Sequence, residues 1–410
     1  STELYANFLI QHSILTLGMI LNLNLGKQAA IKLQKLKLKL KKEIIFTSIV
    51  ASIITGILLS SITFFIIYYF FNNINFFEIS SSLFFGLFVT IFYISTEHII
   101  KGLGYFKICS FSNFLFYSLS LSLPAFLLLV DNQSFLLLNN LFNISLIIKF
   151  FSFFCLIFIL ISKDKLTFTN INFKLFHDFK VHSKWMTIYG IYNQIYDYFD
   201  KYLIKINLGS SMLITYSVPQ QIAAKLTIFS QSIIAVLLPR LSKVKINVKK
   251  KSILSANLYF FFFIISLPLI ITLPFYDEIL NWWLNKSYTL LILKLLKIFI
   301  LLTFLGCLSN IIISFYEATL VSKKNTKYET YTILPFLLGL IICVYFKNVF
   351  YFAVLLFLKE LILIFVRIFS VKNYINNFKY FTLNIIFFIF AFIFSIVGRD
   401  FFSYLISLIF

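Results

Sequence analysis

Acidic residues are scarce in this chain of 410 residues. Fifteen Asp and Glu stand against 36 Lys and Arg, and charged residues make up only 12% of the sequence. Soluble proteins carry about 25% charged residues. A chain with half that fraction and 60% hydrophobic residues is not an ordinary soluble globular protein. The scarcity of charge indicates helices that lie in a lipid bilayer.

The residues that build metal and catalytic sites are scarce as well. The four cysteines lie within apolar runs and form no CxxC pair, so we expect neither disulfides nor a zinc site. The four histidines form no HExxH motif, and the Gly-Leu-Gly at 102–104 follows no predicted strand, which argues against a dinucleotide site. We therefore expect a protein without a cofactor and without enzymatic activity.

Long apolar runs make up most of the chain. About 20 apolar residues are needed for a helix to cross a bilayer, and strands do not account for runs of that length. The sequence predicts an all-α integral membrane protein with about twelve visible transmembrane helices. They are expected at 4–26, 44–70, 80–100, 108–130, 136–162, 185–206, 212–238, 252–275, 290–313, 328–346, 349–371 and 380–398.

Lys and Arg are concentrated in alternate gaps between these runs. One set of gaps holds 25 of them and the other holds 3, and loops rich in Lys and Arg are cytoplasmic. The charges lie in short gaps, so no basic soluble domain exists to bind nucleic acid. The densest run, 27–42, is interpreted as a topological anchor or as an amphipathic segment on anionic lipids. The basic gaps are 27–43, 101–107, 163–184, 240–251, 317–327 and 372–379.

This topology predicts the domain organisation. We expect an N-terminal helical lobe at 1–162, a cytoplasmic linker at 163–184, a C-terminal helical lobe at 185–398, and the start of a further span or a tail at 399–410. Residue 1 falls on the outer side, so we also expect that a first span upstream is missing. All outer gaps are short, which leaves no room for an extramembrane catalytic domain.

The span 185–206 carries the most informative polar residues. Gln194, Asp197 and Lys201 follow one another at i, i+3 and i+7, so they share one helix face. Asp197 lies roughly 13 Å from the outer end at 1.5 Å per residue, too deep for a short side chain to reach the interface. The face is interpreted as the lining of a hydrated cavity. The alternative is an internal pair of Lys201 with Asp197 or with the neighbouring Asp200 that serves only packing.

Two lysines in other spans are further candidates for that cavity. Lys225 follows a Pro and two Gln within 212–238, which indicates a broken or water-facing stretch. Lys149 is central in 136–162, where it either faces a cavity or extends its long side chain to the interface.

A charged pair is expected in the span 349–371. Lys359 and Glu360 lie near its middle and are predicted to be partly paired, with Lys359 facing the cavity. Arg367 lies near the inner end and is interpreted as an interface anchor. Because the spans hold more cations than anions, a cavity lined by them favours an anionic substrate.

The stretch Tyr192–Lys243 resembles the Wzx-type polysaccharide-export flippases of the multidrug/oligosaccharidyl-lipid/polysaccharide superfamily. The opening Gly18–Leu33 is similar to the second helix of that family, in agreement with a missing first helix. Asp-Lys stands here where Asp-Arg is commoner in the family. The matching motifs are Asp200-Lys201, Leu208-Gly209, Tyr216-Ser217 and Pro239-Arg240-Leu241-Ser242.

The resemblance implies a MATE-like fold, with two pseudo-symmetric helical lobes around a central cavity. It implies an undecaprenyl-pyrophosphate-linked oligosaccharide, an O-antigen or capsule repeat unit, as the substrate that is moved across the cell inner membrane. It carries over Asp200 and Lys201 as substrate-binding residues. Membrane lipids and a coupling H⁺ or Na⁺ are the further expected partners.

Two other functions remain open at this point. A MATE-like multidrug or cation antiporter would share the fold but would need an acidic cavity. An O-antigen polymerase or a membrane glycosyltransferase is the enzymatic alternative. The short outer gaps argue against either enzyme.

Overall fold

A computed structural model describes 25–33, 38–70, 75–105, 173–244, 247–272, 290–319, 321–390 and 392–393, together with single residues within 107–112, 147–162 and 275–281. These residues form helices α1 (Leu25–Leu33), α2 (Leu38–Phe70), α3 (Asn75–Gly102), α4 (Phe173–Leu208), α5 (Ser210–Ala224), α6 (Thr227–Lys243), α7 (Asn247–Thr272), α8 (Leu290–Ala318), α9 (Ser322–Phe346), α10 (Val349–Ser370) and α11 (Phe378–Phe390).

Six helices of the described part are long and apolar enough to cross a membrane. They are α2, α3, α7, α8, α9 and α10, and they confirm the predicted spans at 44–70, 80–100, 252–275, 290–313, 328–346 and 349–371. A seventh is α5 with α6, which are bent by 41° at a short break and fall on the predicted span 212–238. The predicted spans 4–26, 108–130 and 136–162 lie almost wholly outside the described residues.

Helix α4 differs from the prediction at its start. It has 36 residues and begins at Phe173, so the second half of the predicted linker 163–184 is helical. At 1.5 Å per residue α4 is about 54 Å long, well beyond the roughly 30 Å of a hydrocarbon core. The helix therefore contains the predicted span 185–206 and a basic extension before it. Its many polar residues keep it out of the six apolar helices.

By its internal contacts the chain divides into two compact units, Glu3–Gln194 and Ile195–Phe410. The division falls inside α4. We call them the N-terminal unit and the C-terminal unit.

Close backbone approach holds α1 against α3 in the N-terminal unit. A Cβ added at Gly26 would lie 2.7 Å from the backbone of Ser95, and one added at Gly102 would lie 2.5 Å from Cα of Ala30. Side chains of α1 from Gln28 to Leu33 are mostly buried. The start of the basic run 27–42 is thus a packed helix, and the interpretation of this part as a surface-lying segment is wrong.

Replacing Gly26 or Gly102 by alanine is expected to destabilise the N-terminal unit by about 1–3 kcal/mol, because backbone atoms cannot move aside as a side chain can. Gly306→Ala is the matched control, since a Cβ there meets nothing within 4 Å. Thermal unfolding of the purified variants measures the difference. Equal unfolding temperatures for all three would contradict the close approach.

Helix α8 forms the centre of the C-terminal unit. It is buried along most of its length and packs against α5, α6 and α10. Rings of Phe261, Phe262, Phe304 and Phe388 pack against one another from α7, α8 and α11. The apolar side chains of α8 therefore pack against neighbouring helices along most of its length.

Candidate functional site

A network of charged side chains lies inside the C-terminal unit. Arg367 of α10 is 1% exposed and forms ion pairs with Glu329 of α9 and with Glu360, whose Oε1 is 3.4 Å from Nη1. The Nε of Arg367 donates to Oδ1 of Asn325 at 2.9 Å. Burial of a guanidinium at this depth is stable only with such partners. The network therefore fixes α9 against α10.

The network continues to Lys359 and to helix α4. The Nζ of Lys359 lies 3.2 Å from Oε2 of Glu360 and 4.1 Å from the ring centroid of Tyr196. The Tyr196 hydroxyl is 3.0 Å from Oγ1 of Thr332 and donates to the Glu329 carbonyl at 3.3 Å. A lysine above an aromatic ring and beside a carboxylate is held by both a cation–π contact and an ion pair. Three helices, α4, α9 and α10, therefore meet at Lys359.

The network spans a large part of the depth of α10. Arg367 is three residues from the end of the helix at Ser370, whereas Lys359 is ten residues from its start at Val349. The seven residues from Glu360 to Arg367 correspond to about 10 Å along the axis. The charged groups thus run from the end of α10 that is predicted to be cytoplasmic to the middle of the helix.

Asp200 is fully buried, contrary to its expected place on a cavity wall. Its carboxylate accepts hydrogen bonds from the hydroxyl of Tyr216 in α5 and from the backbone N–H of Lys201, the latter at 2.6 Å. The Tyr216 ring in turn packs edge-on against Phe299 of α8, with ring centroids 5.0 Å apart. Asp200 therefore connects α4 to α5 across the turn at Gly209, and in this structure it offers no oxygen to a ligand.

Removing the Tyr216 hydroxyl tests this connection. Tyr216→Phe is expected to lower the free energy of unfolding by about 1–3 kcal/mol, because it leaves a buried carboxylate with one donor fewer. Tyr331→Phe makes the same chemical change at a side chain that is 65% exposed and should leave stability unchanged. Thermal melts of the two purified variants provide the measurement, and a Tyr216→Phe protein as stable as the control would remove Asp200 from this role.

The predicted polar face of α4 is more accessible than the face that carries Asp200. Asp197 is exposed and Lys201 and Gln194 are partly exposed, whereas Tyr196 is buried. Lys201 and Lys359 lie close enough to act electrostatically on the Asp197 carboxylate. The Nζ of Lys201 lies 4.8 Å from the ring centroid of Tyr198. Among the described residues, no hydrogen-bond partner reaches the buried Oε1 of Gln194.

Four of the seven predicted site residues thus lie in one region of the C-terminal unit: Asp197, Asp200, Lys201 and Lys359. Gln194 precedes Asp197 on α4 and lies at the end of the N-terminal unit. Lys225 is exposed and lies at the break between α5 and α6. The bend at this break confirms the broken stretch that the sequence predicted. Lys149 lies outside the described residues.

Sequence reasoning missed the partner of Arg367. The interpretation of Arg367 as an interface anchor is wrong, since its side chain is buried between two carboxylates. Glu329 was not singled out, because it lies in the first turns of a helix with a basic start. The predicted pair of Lys359 and Glu360 is confirmed at 3.2 Å.

The formal charge of the region differs from the expected cation excess. Lys201, Lys359 and Arg367 stand against the four carboxylates of Asp197, Asp200, Glu329 and Glu360, which leaves one negative charge. The cations are thus largely neutralised where the structure describes them. Within the same described part, no three His, Cys, Asp or Glu side chains come together as metal ligands.

One curated sequence relative is a putative O-antigen transporter from Shigella flexneri. It is 26% identical over 153 residues, which span 37% of this chain and 37% of the relative's length. No protein-family model matches the chain. The resemblance to polysaccharide-export proteins that the motifs predict is confirmed by this relative.

Solved structures with the same fold are transporters. An outward-facing multidrug resistance MATE family transporter of the MOP superfamily is 12% identical, with a TM-score of 0.69 over 94% of this chain and 88% of that chain. A MOP superfamily transporter from Pyrococcus furiosus, whose binding pocket is described as having reverse polarity, is 11% identical, with a TM-score of 0.66 over 94% of this chain and 88% of that one. A Vibrio cholerae MATE transporter in the bent form is 12% identical, with a TM-score of 0.67 over 92% of this chain and 89% of that one.

The predicted all-α, MATE-like fold is therefore confirmed. Together, the apolar helices and the fold shared with these structures support a multi-pass membrane protein. The relatives named here are transporters and not enzymes, in agreement with the expectation from the motifs.

Proposed function

We propose that the protein is a flippase for an undecaprenyl-pyrophosphate-linked oligosaccharide, an O-antigen or capsule repeat unit. It moves this lipid from the cytoplasmic to the outer face of the cell inner membrane by alternating access of two lobes, 1–162 and 185–398. The observation that carries the proposal is the similarity to a putative O-antigen transporter over 153 residues. The fold alone supports transport in general, because drug transporters share it.

Side chains of α4 and α10 supply the chemistry that such a head group needs. The side chains of Lys201 and Lys359 are partly exposed, whereas that of Arg367 is enclosed. Charged donors of this kind bind phosphate oxygens. Asp197 and Gln194 offer oxygen and amide groups to sugar hydroxyls. Asp200 holds α4 against α5 and so helps to position Asp197 and Lys201 on α4.

Lys149 and Lys225 are further proposed contacts of the anionic head group. Lys225 lies where the regular hydrogen bonding of the α5–α6 pair is interrupted, and its N–H bonds to the carbonyl of Ile222 three residues earlier. A break of this kind within a span lets backbone carbonyls face water or a substrate.

The membrane potential supplies a driving force for export. One charge that crosses 100 mV gains about 2.3 kcal/mol. A head group of charge near −2 therefore gains roughly 4–5 kcal/mol per 100 mV when it leaves an inside-negative cell without a compensating ion. Asp197 is the proposed contact of a coupling H⁺ or Na⁺ if one is used, because its carboxylate is the exposed one of the region.

A multidrug or cation antiporter is the second candidate. The observation that favours it is the formal charge of the C-terminal region, where four carboxylates face three cations. A cationic drug would be attracted by such a region, and the multidrug MATE structure has the same fold. The flippase is preferred because the sequence relative is an O-antigen transporter.

Expression of the chain in bacterial cells that lack their own O-antigen flippase distinguishes the two. The flippase proposal predicts that surface polysaccharide returns and that efflux of the cationic dye ethidium does not increase. Ethidium efflux without surface polysaccharide would establish the antiporter instead.

A further inference from the structure

The ion pair of Lys359 and Glu360 is the accessible end of an otherwise closed network. The side chains of Lys359 and Glu360 are 12% and 10% exposed, whereas those of Arg367 and Glu329 are 2% and 1% exposed. A ligand that approaches the network would therefore meet the Lys359 side chain before the buried pair of Arg367 and Glu329. The carboxylate of Glu360 already occupies one side of that ammonium, at 3.2 Å.

Glu360 is bound from both sides. Its Oε2 faces Lys359 and its Oε1 faces Arg367 at 3.4 Å. If an external anion takes over Lys359, Glu360 keeps Arg367 as a partner and is not left as a lone buried charge, whose cost would be prohibitive. The Tyr196 ring, 4.1 Å from Nζ, holds the ammonium in place during such an exchange.

We propose that Glu360 is a built-in competitor for Lys359 that sets the selectivity of the site for a diphosphate over the monoanionic phosphodiesters of ordinary membrane lipids. This inference rests on the proposed function and adds a specificity-determining residue to it. A bare lysine at mid-helix would bind any anionic head group that reaches it. With a carboxylate already paired to it, only an anion of higher charge density displaces the internal partner. Selectivity of this kind comes from penalising the wrong ligand rather than from strengthening the right one.

The abundance of the competitor lipids explains why such a device is useful. Phosphodiester lipids surround the protein in great excess over any lipid-linked oligosaccharide, so a modest preference for diphosphate would leave the site occupied by bulk lipid. An internal carboxylate weakens the binding of every anion to Lys359, and it weakens the binding of singly charged anions most. Charge complementarity is known to act in this way, on the choice of partner more than on raw affinity.

Binding of undecaprenyl pyrophosphate and of phosphatidylglycerol to the purified full chain in detergent tests the inference. The wild type is expected to prefer the diphosphate. Glu360→Gln should bind phosphatidylglycerol about tenfold more tightly and lose most of that preference. Lys359→Gln should lose diphosphate binding about tenfold, and the double variant should behave like Lys359→Gln, because the effect of Glu360 passes through Lys359.

Control variants separate this effect from a change of net charge. Glu97→Gln removes a carboxylate from the ion pair with Lys101 in the N-terminal unit and should leave the preference intact. Glu360→Asp keeps the charge on a shorter side chain, should reduce the preference by a smaller factor, and serves if Glu360→Gln does not fold. Asp197→Asn tests whether the other carboxylate that interacts electrostatically with Lys359 sets the preference instead.

Three results are decisive. A preference that survives unchanged in a folded Glu360→Gln protein overturns the inference but not the proposed flippase function. A larger loss of preference in Asp197→Asn than in Glu360→Gln overturns it in favour of Asp197. A wild-type protein that does not bind undecaprenyl pyrophosphate overturns the proposed function itself.

Discussion

Replacing Arg367 by glutamine is expected to destabilise the C-terminal unit strongly. The substitution removes the cation that the buried carboxylates of Glu329 and Glu360 share, and it leaves Glu360 with Lys359 alone. Removing one partner of a buried ion pair costs about 3–5 kcal/mol, against a total stability of roughly 5–15 kcal/mol for most proteins. The measurement is the fraction of monodisperse protein after membrane extraction, followed by a thermal melt.

Two further variants assign this loss to unpaired charge. The double variant Arg367→Gln/Glu329→Gln removes one cation and one anion together, so it should recover a large part of the stability that Arg367→Gln loses. Lys324→Gln removes an exposed cation from α9 and should have no effect within about 0.5 kcal/mol. If Arg367→Gln were as stable as Lys324→Gln, the conclusion that the network fixes α9 against α10 would be wrong.

Replacing Lys359 by glutamine is expected to reduce transport at least about tenfold while the protein remains folded. Glu360 keeps Arg367 as its partner, so the change leaves no isolated buried charge. The site loses the ammonium that lies beside the Tyr196 ring, and a charge-assisted bond to phosphate is about twice as strong as a neutral one. We expect surface polysaccharide in flippase-deficient cells to fall at least about tenfold, a loss that corresponds to 1.4 kcal/mol.

Lys359→Arg is the informative companion variant. It keeps the positive charge and should retain part of the transport, although a planar guanidinium does not fit a lysine site without loss. Lys324→Gln again provides a matched removal of one exposed lysine charge. Export at wild-type level by a folded Lys359→Gln protein would remove Lys359 from the substrate site.

Much of the fold was predictable because the bilayer imposes simple constraints. The long apolar runs that become α7, α8 and α10 leave no other secondary structure possible in lipid, and their bounds agree with the prediction to within a few residues. The bend between α5 and α6 was also readable, since a Pro and two Gln interrupt an apolar span. The adjacent Lys359 and Glu360 indicated a pair because two opposite charges in mid-span have few other partners.

What escaped prediction depends on contacts between residues far apart in the chain. Arg367 resembles an interface anchor when only its own helix is considered, and its ion-pair partner Glu329 is 38 positions earlier. Asp200 lies on a polar helix that suggests a cavity wall, yet Tyr216 covers it from the next helix. The burial of α1 follows from the positions where Gly26 and Gly102 lie against the facing backbone, and a single sequence does not indicate which glycines do so.

Reconstitution of the purified protein into vesicles tests the proposed transport most directly. The vesicles contain a fluorescent undecaprenyl-pyrophosphate-linked oligosaccharide in one set and a fluorescent phosphatidylglycerol in another, and a membrane-impermeant quencher reports which leaflet holds the label. The account predicts that wild-type protein moves the diphosphate-linked oligosaccharide between leaflets, that Lys359→Gln moves it at least about tenfold more slowly, and that phosphatidylglycerol stays in place. Movement of the oligosaccharide lipid at the rate of protein-free vesicles, by a wild-type protein that is folded, would contradict it.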